Sequence, residues 1–191
     1  PLSLYGEGLS GIIISKLGIS VEKPNLDSWK RVVQGLSKPK LGSVDIAVVG
    51  KYVDLQDSYK SLTEALIHGG ISNDVCVNIH WLDAETLDGD NDLSDLNRYN
   101  GILVPGGFGE RGIEGKIRAI QFARENKVSF FGICLGMHCA VIEFARNVAR
   151  LKKANSAEFA SNTPDPVIDL LPDQGGKSDK GGTMRLGEYL C

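Results

Sequence analysis

Apolar and polar positions along this chain change their spacing in a regular order. From Val44 on, short apolar or alternating runs give way to helical periodicity and back again. The run "VDIAVVG", closed by Gly50, predicts a strand buried on both faces. "DSYKSLTEALIHGG" predicts a helix capped by Asp57 or Ser58, with Leu62, Ala65 and Leu66 on one face and Gly69-Gly70 as its stop. In "VCVNIHWL", Val75, Val77, Ile79 and Trp81 alternate with Cys76, Asn78, His80 and Leu82, which predicts a strand. "GILVPGGFGERG" predicts a strand running into a glycine-rich loop, and "IEGKIRAIQFAREN" a helix with Ile113, Ile117 and Ile120 inward. "VSFFGIC" is the next strand. "LGMHCAVIEFARNVARL" is the next helix, with Met137, Val141, Phe144 and Val148 at helical spacing. The tail, "PDPVIDLLPDQGGKSDKGGTMRLGEYL", reads as two strands around a polar loop. Strand and helix alternate, so the expected fold is α/β: a mostly parallel open sheet with helices on both faces.

The first 43 residues differ. A short apolar stretch, "LSGIIISKLGI", precedes "EKPNLDSWKRVVQGLSKPK", which predicts a helix around Ser28–Leu36 ended by Gly35 and the Ser-Lys-Pro-Lys that follows. This segment is expected to be a linker that packs against another domain. The opening "PLSLYGEGLSG" has no Met and no leader pattern, so a fragment of a longer chain is expected.

Composition narrows the function classes. The net charge of −3 over 191 residues offers no basic footprint, so nucleic acid is not an expected partner. No apolar run approaches the roughly 20 residues of a membrane helix, so no membrane partner is expected. The four cysteines, Cys76, Cys134, Cys139 and Cys191, lack CxxC spacing, and there are only three histidines. That argues against a zinc site or a disulfide scaffold and for a reducing cytoplasm. Cys76, in an alternating run, and Cys139, on an apolar helix face, are expected to be inert packing.

Cys134 is different. It lies where a strand meets a helix, as Gly132-Ile133-Cys134-Leu135-Gly136, the pattern of a nucleophile elbow with Cys in place of Ser. In such a sharp turn the nucleophile has a strained backbone, and the flanking positions leave no room for side chains. The sulfur is then lifted clear of the sheet, at the first turn of a helix whose unpaired N–H groups and dipole favour a thiolate. Acyl transfer also needs two donors aimed at an oxyanion, and the N–H groups of Leu135 and Gly107 could supply them. The same loop holds Gly107-x-Gly109-x-x-Gly112, a nominal dinucleotide fingerprint. The acidic residue expected at the end of the following strand is absent, since Gly132 stands there.

At these residues the chain resembles a known family. "PGGFGERGIEGK", "GICLGMHCAVIEFARN", "ANSAEF", "GGTMRLG" and "VGKYVDLQDSYKSLTEALIHGG" are similar to the class I glutamine amidotransferase domains of CTP synthases. The resemblance implies a flavodoxin-like class I amidotransferase fold over residues 44–191, C-terminally incomplete, after a synthase-domain tail and interdomain linker over 1–43. It implies that L-glutamine is hydrolysed through a γ-glutamyl thioester, and that ammonia goes to a synthase domain absent from this chain. That domain would use ATP and Mg²⁺ to convert UTP to CTP, with GTP as activator and a homotetramer as the full-length assembly. No cofactor is expected in this chain itself.

By the same resemblance Cys134 is the nucleophile, and Gly107 and Leu135 form the oxyanion hole. Leu135, Gly136, Met137 and His138 line the glutamine pocket, Glu158 binds the substrate α-amino group, and Arg111 belongs to a lid sensitive to GTP. Two departures stand out. The family has Gln at the position of His138, and its His-x-Glu motif, carrying the base and its orienting carboxylate, does not occur before Cys191.

That leaves the proton acceptor open. His68 ends a helix and is expected at the surface, and His80 alternates within a strand and is expected to pack in the sheet. His138 is four residues from Cys134, but no acid is evident to orient it, with Glu143 five residues further on. Glutamine hydrolysis by this chain is therefore expected to be impaired. Two other readings remain at this point: a general cysteine hydrolase with a similar elbow, and a non-catalytic regulatory module.

Overall fold

The structure, a computed structural model, describes residues 1–51, 53 and 56–169. The chain divides into two compact units, one of Pro1–Ile46 with Asp54–His80, the other of Ala47–Val53 with Trp81–Cys191.

The first unit holds helices α1 (Leu2–Gly6), α2 (Leu9–Leu17), α3 (Asp27–Ser37) and α4 (Lys60–Asn73). It also contains the first residues of strand β1 (Ser43–Gly50) and most of β2 (Cys76–Asp83). Two glycine readings change here. Gly35 does not end α3. It lies inside the helix, where a Cβ would come within 3.0 Å of Ile71 Cγ2 on α4, so close packing of the two helices explains it. Gly69-Gly70 does not stop α4 either. The helix runs to Asn73 and ends on Asp74 in the left-handed region, at φ 59°. A Cβ on Gly70 would stand 2.7 Å from the Val75 carbonyl oxygen and 2.8 Å from Val77 Cγ2. The returning chain lies too close for any side chain.

The start of α4 also differs. A 3₁₀ turn over Gln56–Tyr59 precedes it, and neither Asp57 nor Ser58 is the cap; Tyr59 occupies that position without a side-chain hydrogen bond. Leu62 and Leu66 are half-buried and Ala65 is exposed. Cys76 is exposed rather than packed, and among the described residues its Sγ has only Asn78 Oδ1 at 4.0 Å as a weak partner. His80 is in β2, but Asp45 Oδ1 lies 2.7 Å from its Nε2, so the ring belongs to a polar cross-strand pair instead of apolar packing.

The second unit contains the ends of β1 and β2, then β3 (Gly101–Val104), α5 (Ile113–Asn126), β4 (Ser129–Gly132) and α6 (Leu135–Asn147). The strands are hydrogen-bonded in the order β2-β1-β3-β4. β3 and β4 run parallel, Gly101 opposite Ser129 through Val104 opposite Gly132, with α5 as the crossover. This is the expected α/β open sheet. A separate parallel pair, β5 (Ala154–Ser156) and β6 (Asp165–Ile168), follows α6, and β6 is the first strand read from the tail. The second, with "GGTMRLG", lies outside the described residues, as does Cys191.

The core sits between the sheet and the α5 and α6 helices. Val104, Ala119, Ala123, Cys139 and Ile142 are fully buried, and Ile113, Ile117 and Ile120 point inward as their spacing predicts. Each such isoleucine contributes about 1.5 to 3 kcal/mol by leaving water. The α6 stripe is another matter. Met137, Val141, Phe144 and Val148 are 51%, 40%, 55% and 43% exposed, while Leu135, Cys139, Ile142 and Ala145 fill the core side. Both series fit a 3.6-residue period, and only packing decides between them. The buried series places Cys139 inside, as expected, and burial pushes its thiol up to about 11.

Candidate active site

The turn from β4 to α6 is built as its glycines predict. A Cβ on Gly132 would come within 2.6 Å of the Gly136 carbonyl group, and one on Gly136 within 2.1 Å of the Val104 carbonyl oxygen on β3. Real Cβ atoms do not approach so closely, so only glycine lets the strand, the elbow and the helix share this space. Cys134 stands between them at φ 52°, ψ −108°, a backbone region that costs a non-glycine residue about 1 to 3 kcal/mol. It is the N-cap of α6, and it is exposed. Strain and exposure in a single cysteine at a helix N-terminus are features that packing alone does not require.

The glycine-rich loop after β3 touches this elbow. Ile133 N–H donates to Val104 O at 3.0 Å, tying the elbow to the end of β3. A Cβ on Gly106 would lie 3.5 Å from Cys134 Cβ, and one on Gly107 would lie 3.5 Å from Leu135 Cδ2. Gly107, Cys134, Leu135 and Gly136 are therefore brought together. The N–H of Leu135, in the first turn of α6, has no intrahelical acceptor.

Met137 and His138 follow on the first turns of α6, Met137 on its exposed side. His138 N–H donates to Cys134 O at 3.1 Å. Its Nδ1 is buried and has no hydrogen-bond partner among the described residues. Glu143 does not orient it: this buried carboxylate accepts from Arg124 Nε and Nη2, the latter at 2.7 Å, and from Asn147 Nδ2 at 3.0 Å. The bond to Glu143 is also the main reason the Arg124 guanidinium holds its proton more tightly than usual. Glu158 lies in the turn after β5, half-buried, its N–H donating to Ser156 Oγ at 3.1 Å. His68 is at the surface, 3.9 Å from Glu64 Oε2 on its own helix.

Three cations belong to the loop and the elements that flank it. Arg111 is paired with Glu85, its Nη2 donating to Oε2 at 2.8 Å. Lys116 is almost wholly buried on α5, and desolvation above all lowers its pKa. Lys51, at the end of β1, donates from Nζ to the carbonyl oxygens of Phe108 at 3.0 Å and Gly109 at 3.2 Å. The sequence reading passed over Lys51. Its one signal was a lysine immediately after the glycine that closes a strand.

Comparison with known proteins shows the family. The family model described as glutamine amidotransferase class-I matches residues 54–190. The CTP synthase of Syntrophus aciditrophicus is 56% identical over 191 residues, which is all of this chain and 35% of that protein. The CTP synthase of Methanocaldococcus jannaschii is 54% identical over 195 residues, covering 99% of this chain and 36% of that protein. The chain thus spans about a third of the length of the curated relatives it matches. Among solved structures, the glutaminase domain of Trypanosoma brucei CTPS with bound acivicin is similar at a TM-score of 0.64 and 40% identity, over 71% of this chain and 53% of that one. These similarities do not favour a general cysteine hydrolase or a non-catalytic module.

Proposed function

Because this chain belongs to the class I glutamine amidotransferases, we propose that it is the glutaminase part of a CTP synthase and that Cys134 is its nucleophile. The observation that carries this reading is the exposed, strained Cys134 at the N-terminus of α6, with the Gly106-Gly107 loop beside it. In the proposed reaction the Cys134 thiolate attacks the side-chain carboxamide carbon of L-glutamine. The carbonyl oxygen takes the negative charge and accepts hydrogen bonds from Gly107 N–H and Leu135 N–H. On collapse the C–N bond breaks, the departing nitrogen takes up a proton and leaves as ammonia, and a γ-glutamyl thioester remains for water to hydrolyse. Gly136, Met137 and His138 line the glutamine pocket, and Glu158 meets the α-amino group.

The remaining parts of the proposal concern the longer protein. Residues 1–43 are the tail of a synthase domain and its linker, and residues 44–191 belong to the amidotransferase domain. ATP and Mg²⁺ serve amination of UTP in the synthase domain, GTP activates through the loop that bears Arg111, and the assembly is a cytoplasmic homotetramer. Among the described residues no helix is long and apolar enough to cross a membrane.

Acivicin tests the nucleophile. Incubated with the chain, it is expected to add to one thiol, mapped by peptide mass spectrometry to Cys134, and L-glutamine is expected to slow the reaction. Adduct on Cys76 at an equal rate, or no protection by glutamine, contradicts the assignment.

A further inference from the structure

The loop that offers Gly107 to the elbow has few holds of its own. Between Gly106 and Gly109 its main chain makes only two hydrogen bonds to described residues, both accepted from Lys51 Nζ by the Phe108 and Gly109 carbonyl oxygens. The N–H groups of Gly106 and Gly107 are left without acceptors among those residues, as a site for an incoming anion requires. On its other side no hydrogen bond among the described residues ties Gly106 or Gly107 to the elbow, and an added Cβ on them would lie 3.5 Å from Cys134 Cβ and from Leu135 Cδ2 respectively. Packing sets how close the loop can come. It does not set how a peptide plane is rotated, and glycine resists rotation less than any other residue.

Lys51 supplies that missing constraint. Two successive carbonyls face one ammonium, which the left-handed Gly109, at φ 77°, allows. With the Phe108 and Gly109 carbonyls turned toward Lys51, only the two residues Phe108 and Gly107 separate the first held peptide from the Gly106–Gly107 peptide, which carries Gly107 N–H. The ammonium is itself partly stripped of water, and that desolvation, ahead of the neighbouring Arg111 charge, lowers its pKa.

We propose that Lys51 is a positioning residue for the glutaminase reaction: by holding the Phe108 and Gly109 carbonyls it keeps Gly107 N–H aimed at the oxyanion formed on Cys134. This rests on the glutaminase reading above. Lys51 touches no reacting atom and acts only through the loop.

The test compares two reagents on purified chain carrying Lys51→Met or Lys51→Arg. Acivicin reacts by addition of Sγ to a C=N carbon, which places negative charge on the ring nitrogen before chloride leaves; a C–S bond forms and a C–Cl bond breaks. Iodoacetamide alkylates the same thiol by direct displacement of iodide at a saturated carbon and needs no anion hole. Lys51→Met is expected to lower the maximal rate of acivicin labelling of Cys134 about 10- to 100-fold. The half-saturating concentration and the iodoacetamide rate should stay within about twofold. Lys51→Arg keeps a charged donor and should recover most of the acivicin rate. Equal acivicin rates in the unmutated and Lys51→Met chains overturn the proposal. So does an equal loss with both reagents, which marks a structural role. Failure of the unmutated chain to label at Cys134 refutes the glutaminase reading itself, and that outcome is read before any variant is compared.

Discussion

Gly136 shows how much one hydrogen atom can decide. Its Cα lies against β3 so closely that an added methyl group would fall 2.1 Å from the Val104 carbonyl oxygen, a backbone atom of a buried strand. Neither side can yield cheaply, because Val104 is central to the core and Gly136 belongs to the first turn of α6. Gly136→Ala is therefore expected to cost about 3 kcal/mol, read as a fall of roughly 6–12 °C in thermal unfolding midpoint. Gly107→Ala is the contrast. Its added Cβ would lie at an ordinary 3.5 Å from Leu135 Cδ2, so its midpoint should move by no more than a few degrees. A midpoint for Gly136→Ala within 2 °C of the unmutated chain would contradict the elbow geometry.

α5 and α6 are joined by more than apolar contact. Glu143 on α6 is almost wholly enclosed and is held by Arg124 on α5, whose side chain keeps about a third of its surface in water. The two partners should therefore respond unequally to mutation. Arg124→Ala leaves a carboxylate enclosed without its cation and is expected to cost about 2 to 3 kcal/mol, less than for a fully enclosed pair because water reaches the arginine side. Glu143→Gln keeps an acceptor, leaves no enclosed charge and frees Arg124 to solvent; its cost should be about 1 kcal/mol. Denaturant unfolding of both variants checks the order, and equal losses contradict it. The same pairing explains why Glu143 is not a partner for His138, although five residues would bring the two to neighbouring turns of one helix.

Across the whole chain, the question is turnover rather than reactivity. Cys134, the glycine-rich loop and the N-terminus of α6 lie in one unit. A base is another matter. His68 is at the surface, His80 is paired with Asp45, and His138 has a buried Nδ1 that no carboxylate among the described residues orients. The chain should therefore react with acivicin yet release ammonia from L-glutamine at a small fraction of the rate of an intact amidotransferase. General base catalysis is worth roughly 10² to 10⁴ in rate. A coupled ammonia assay on the purified chain measures this, and full turnover would show that a described histidine serves after all.

The local signals were written in one dimension and could be read there. Strands and helices from β1 to α6 follow from a change of period, and Gly132-x-Cys134-x-Gly136 names its turn because few chemistries need a reactive side chain between two glycines. What the order of residues left undecided was anything that depends on a neighbour distant in sequence. Gly35 and Gly70 look like helix stops and are clearances for Ile71 and for the returning β2. Met137, Val141, Phe144 and Val148 have the spacing of a core face, yet the sheet met the other side of α6. Lys51 carries no motif at all, and its two carbonyl partners arise because β1 ends beside a loop 57 residues further along the chain. Periodicity and turn chemistry act through bonds between near residues. Clearance, choice of buried face and a lysine's two carbonyl partners are set by what the fold brings alongside.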